Sequence, residues 1–169
     1  AESAARFGGD AFTEARALLV GGILRLWSGD RAEAVRRLEA ALELAWTEQF
    51  PTLADRCGRW LVRAHAERGG FDQAVELAEP LLARADDRGD PTVGVGVRAA
   101  LAEVWRQRGD VDQARALAEE ALAIAALRDV APDALADARA VLARLEQTGG
   151  SSRPIGTTAA ASSKEGDLR

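Results

Sequence analysis

The 169-residue chain has one cysteine, one histidine, and no methionine or tyrosine. With Cys57 alone, no intrachain disulfide can form. One histidine and one cysteine fall short of the three or four clustered ligands of a zinc site, so neither a metal nor a cofactor is expected. His65 and Cys57 stand eight residues apart within one helical segment, too far along its axis to pair directly. Both are read as packing residues, and no catalytic residue is assigned. Lysine is nearly absent as well, Lys164 being the only one. The net charge of −5 argues against a generic nucleic-acid or anionic-membrane binder, whose affinity would rest on excess positive charge. No apolar run reaches the ~18–20 residues that span a bilayer. Gly94 and Gly96 follow no strand and precede no lysine, so they make no phosphate loop.

What the chain has in abundance is alanine and leucine, with 47% hydrophobic and 29% charged residues. Alanine favours helix because fixing it costs no side-chain entropy, and it lets helices approach closely. The sequence also repeats itself. Gly29, Gly69, Gly109 and Gly149 fall forty residues apart, and Ala34, Ala74 and Ala114 keep the same interval. Leu42, Leu82 and Leu122 share the phase, as do Ala5, Ala45, Ala85 and Ala125. Several positions with one period mark a repeat architecture.

Each period holds two helices. Apolar residues recur at steps of three and four, as in Ala34, Leu38, Ala41, Leu42 and Ala45. Gly29, Gly69 and Gly109 end the first helix of each pair, where glycine accepts a left-handed conformation. Asp30 with Glu33, and Asp110 with Gln113, open the second helix as caps. Pro51 and Pro91 suit the first turn of the following helix. Helices are expected at about 11–28, 30–48, 51–68, 70–87, 91–108, 110–127 and 132–148. The short connections make consecutive helices antiparallel neighbours. Residues 1–10 match 81–90 and are read as the remnant of an upstream helix. Residues 11–149 form the repeat domain, its last helix capping the stack. Residues 150–169, rich in Gly, Ser, Thr and Ala, are read as a flexible tail or linker.

The third period reads Leu101, Ala102, Trp105, Gly109, Ala114 and Ala121. This resembles the tetratricopeptide repeat (TPR): a large residue, a small one, an aromatic, a turn glycine and two small residues. The second period keeps Leu61, Gly69 and Ala74, with His65 at the aromatic position; the first keeps Gly21, Gly22, Gly29, Ala34 and Ala41, with Arg25 there. The forty-residue spacing exceeds the family's usual length of about thirty-four. It resembles the long variant found in bacterial signalling and regulatory proteins. HEAT-like pairs have a similar period, but the turn glycine and paired small residues favour the TPR reading. The resemblance implies an all-α, right-handed α-solenoid of about three helix pairs plus a capping helix, with Trp105 in the core. It also implies a cytoplasmic, non-catalytic module that binds protein or peptide, as part of a larger regulatory protein.

In such a solenoid the first helix of each pair lines the concave face. Arg56, Arg59 and Arg63 share one face of the third helix, and three guanidiniums there suit an acidic protein or peptide. Local pairing, such as Arg63 with Glu67, is the simpler reading of the same residues. The first helix is apolar almost all round, through Leu18, Leu19, Val20, Ile23, Leu24, Leu26 and Trp27. Ile23 and Trp27 are expected to face the groove. They are covered by another helix, line a small-ligand pocket with Arg63, or mediate self-association. A binding module, a small-ligand sensor and a structural spacer therefore all fit, and an enzyme fits least.

Overall fold

A computed structural model describes residues 2–150, and the side chains of residues 10–147. It contains seven helices: α1 (Glu2–Trp27), α2 (Arg31–Thr47), α3 (Pro51–Arg68), α4 (Phe71–Arg88), α5 (Pro91–Arg108), α6 (Val111–Leu127) and α7 (Pro132–Gly150). No strand occurs among the described residues. The segment read as a flexible tail lies outside them from residue 151 onward.

The punctuation follows the repeat. Gly29, Gly69 and Gly109 all have positive φ, at 84°, 82° and 88°, and Gly89 joins them at 63°. Asp30, Asp90 and Asp110 each accept a hydrogen bond from the backbone N–H three residues on, which caps α2, α5 and α6. Pro51 and Pro91 occupy the first turn of α3 and α5.

One boundary differs. The match of residues 1–10 with 81–90 predicts a break at Gly9–Asp10, yet α1 runs unbroken from Glu2 to Trp27. The reason lies in the next residue. At Gly89–Asp90 the chain meets Pro91, which has no N–H to continue a helix, whereas Asp10 is followed by Ala11. Glycine alone tolerates either course.

Consecutive helices pack side by side. In addition α3 lies on α5, α5 on α7, and α1 touches α3. The odd-numbered helices thus form one layer and the even-numbered helices the other, an α-solenoid of antiparallel pairs. Ala34, Ala74 and Ala114 are fully buried where the two layers cross. Ala74→Leu should overpack that crossing and cost roughly 1–3 kcal/mol. Equilibrium denaturation checks this, and an unchanged midpoint would mean that the layers do not meet there. Trp105 is only partly buried, at the edge of its cluster with Arg108 over its ring, so it is a rim residue rather than a core one.

Candidate functional site

The inner face of the solenoid is built by α3, α5 and α7. Arg59 and Arg63 stand one turn apart on α3, as Asp133 and Asp137 do on α7. Arg59 donates to Asp133 at 2.6 Å and Arg63 to Asp137 at 2.6 Å, a two-rung ladder across seventy-four residues of sequence. The backbones of α3 and α7 do not touch, so these long side chains reach over α5. Helices two repeats apart can meet in this way only on the inside of the curve, which identifies the α3–α5–α7 layer as the concave face.

Gly96 makes the reach possible. A Cβ there would lie 2.5 Å from Cδ of Arg59 and 3.0 Å from its Cγ. The bare backbone of α5 is the bed on which Arg59 rests.

The ladder's carboxylates differ in character. Burial would raise Asp133, but Arg59 and nearby backbone N–H groups outweigh it and hold the group below its ordinary value. Burial pushes Asp137 up, further than Arg63 and Arg59 pull it down. Arg63 also donates to Glu67 at 2.9 Å, the local pair expected from the sequence. Arg59 and Arg63 both lie over the ring of Trp60. Arg56 is exposed and forms no ion pair among the described residues.

Beyond the Arg63–Asp137 rung the groove opens into a cavity of ≈ 330 Å³. Its floor is Ala66, Ala99, Ala100 and Ala140. Arg31, Arg63, Glu67, Glu103, Asp137 and Arg144 form its charged rim. Glu103 accepts from Arg106, Gln107 and Arg144. Burial would raise it, and these donors and charges hold it below the usual carboxylate range.

Ile23 and Trp27 lie outside this cavity. Trp27 meets Trp60 edge to face, with centroids 6.1 Å apart. Ile23 packs against the first core cluster, half-buried. Val20, Leu24 and Trp27 form a bare stripe on α1, at 53%, 56% and 63% exposure.

The two chemically distinctive residues are buried. Burial pushes the Cys57 thiol up to about 12, which leaves it protonated and unreactive at neutral pH. His65 is lowered, first by burial and then by the charge of Arg68. Its Nδ1 has no hydrogen-bond partner among the described residues. A histidine lowered in the folded state is most stabilising while neutral. Its contribution should be intact above its ordinary value of 6.5 and decline as the pH falls through the lowered value. His65→Leu should flatten that limb of a stability–pH profile; an unchanged acid limb would show that His65 reaches water.

Among the described residues no group of His, Cys, Asp and Glu is arranged to hold a metal ion, and no helix is long and apolar enough to cross a membrane. The sequence pointed to the arginine row on α3 but not to its α7 partners. The signal was there: two aspartates at a spacing of four, facing two arginines at the same spacing. The cavity's alanine floor was legible only as close packing.

No protein-family model matches the sequence, and no curated protein is significantly similar to it. Among solved structures, a TPR-like protein from Chlorobium tepidum TLS is similar, with a TM-score of 0.69 at 18% identity, over 84% of this chain and 98% of that one. At that identity the likeness concerns architecture alone, and with the forty-residue period and the left-handed glycines it shows that this chain has a TPR-like helical-repeat fold.

Proposed function

We propose that the chain is a non-catalytic module that binds protein or peptide through the concave face of α3, α5 and α7. The observation that carries this reading is the cavity of ≈ 330 Å³ with its charged rim on the inner face. A bare, alanine-floored hollow on that face is where a partner gains buried area. A place in a larger bacterial regulatory or signalling protein rests on the forty-residue period, which resembles the long variant of the repeat.

An acidic partner meets a restricted choice of arginines. Arg59 and Arg63 are already held by Asp133 and Asp137, and replacing them would break the ladder. Arg56 is exposed, and Arg31 comes no closer than 3.8 Å to Glu67. These two can turn to a partner at little cost. The test is a pull-down from source lysate with the parent chain and an Arg31→Glu/Arg56→Glu variant of equal helicity. A partner kept by the parent and lost by the variant supports the acidic-partner reading. Equal retention would remove it.

A second reading rests on the stripe of Val20, Leu24 and Trp27. Three large apolar side chains more than half exposed along one helix suit self-association through α1. Leu24→Glu should then shift a dimer to monomer in sedimentation. A parent chain that stays monomeric at high concentration contradicts this reading.

A further inference from the structure

The repeat shows why the cavity exists. Trp60, Ala100 and Ala140 occupy the same place in successive forty-residue periods. At the first of these places the inner face is filled: the indole of Trp60 meets Trp27 and lies beneath Arg59 and Arg63. At the next two the side chain is a methyl group, and both Ala100 and Ala140 line the hollow. The cavity is thus the space of an indole that α5 and α7 lack. Close packing alone would favour filling such a space.

The charges around it have a definite order. A chain of ion pairs runs Asp137–Arg63–Glu67–Arg31, with contacts of 2.6, 2.9 and 3.8 Å. Among the described residues the interior members of the chain have a neighbour on either side, and each end has one on a single side. At one end Asp137 accepts a single hydrogen bond among the described residues, on one oxygen, and burial outweighs the pull of its arginine neighbours. At the other end Arg31 is half exposed, and its contact with Glu67 is too long for a hydrogen bond. The rim as a whole is balanced, with Arg31, Arg63 and Arg144 against Glu67, Glu103 and Asp137.

From this order we infer that the cavity is a binding site for a short free peptide with small side chains, its ammonium group on Asp137 and its carboxylate on Arg31. The inference rests on the concave-face reading above and names the ligand class. Two intervening charged groups separate the ends by on the order of 10 Å, the span of about three extended residues. A peptide backbone spanning the hollow leaves room over its alanine floor for methyl-sized side chains. A ligand of one charge would satisfy one end and repel the other, which favours a zwitterion.

Isothermal titration of the 169-residue chain with trialanine tests this. Saturable binding is expected, weakened roughly tenfold or more when either the amine is acetylated or the carboxylate amidated. Ala140→Trp restores the missing indole and should abolish binding with circular dichroism unchanged. Arg31→Gln lies at the surface and should no longer distinguish trialanine from its amide, which decides the matter even if the tryptophan variant fails to fold. No binding at ~10 mM peptide, well above the millimolar range of a weak site, would overturn the proposal. So would equal binding of the acetylated form, which would point to a protein C-terminus instead. If trialanine fails while a lysate partner still binds the concave face, the ligand class falls and the broader function stands.

Discussion

Replacing Arg84 and Arg88 together by alanine is expected to cost roughly 3–5 kcal/mol of folding stability. Both arginines sit on α4 and converge on Asp55 of α3, which is 4% exposed. Arg84 donates to one carboxylate oxygen at 2.9 Å and Arg88 to the other. The guanidiniums themselves reach solvent, so each loses little when its partner goes. The carboxylate does not, and without them it is left in the core with no compensating charge. Adding Asp55→Ala to the double variant should therefore recover much of the loss. Urea denaturation of the three variants measures this. A cost below about 1 kcal/mol for the arginine pair would mean that Asp55 finds water in the folded chain.

Gly96→Val should be the most damaging single change on the inner face, at about 3 kcal/mol, through steric overpacking and the loss of a part-buried ion pair. In an ordinary helix interior, Gly→Ala gains about 1 kcal/mol. Here even alanine should be destabilising, because its Cβ would sit 2.5 Å from Cδ of Arg59. Arg59 cannot swing aside without leaving Asp133, and its side chain is only 10% exposed. The sign is the test: Gly96→Ala as a stabilising change would show that Arg59 does not rest on α5. In a double-mutant cycle, Gly96→Val and Arg59→Ala should be strongly non-additive, since the second removes what the first displaces.

Neither the pairing of Asp55 with Arg84 and Arg88 nor the contact of Gly96 with Arg59 was legible in the sequence, and the reason is physical. Repeat punctuation is local. Gly69 ends α3 because of its own φ, and Asp110 caps α6 through a bond three residues long. Both were legible, and the helix limits other than the start of α1 followed from such signals. Ala34, Ala74 and Ala114 were legible because each helix pair makes the same crossing. The contacts of Arg59 and Arg63 are not local. They depend on curvature accumulated over two repeats, and no period in the sequence encodes that angle. The arginine row was visible as a row, and only the fold shows that α7 holds two of its members while Arg56 stays exposed. Gly94 and Gly96 read correctly as helical, but the role of Gly96 belongs to a side chain from another helix. Trp105 fits the aromatic position by phase, yet it lies at the edge of its cluster, because the place of a residue in a repeat does not determine how much of it the neighbouring helix covers.

Binding is expected on the concave face of α3, α5 and α7. Alanine-rich chains offer a direct probe of this, because alanine methyl groups can be labelled and their NMR shifts followed as a partner retained from lysate is added. The prediction is that Ala66, Ala99, Ala100 and Ala140, which floor the cavity, shift together. Ala40, Ala83 and Ala123, exposed on α2, α4 and α6, should stay where they are. Shifts confined to that second set, with the cavity methyls unmoved at saturation, would contradict the account.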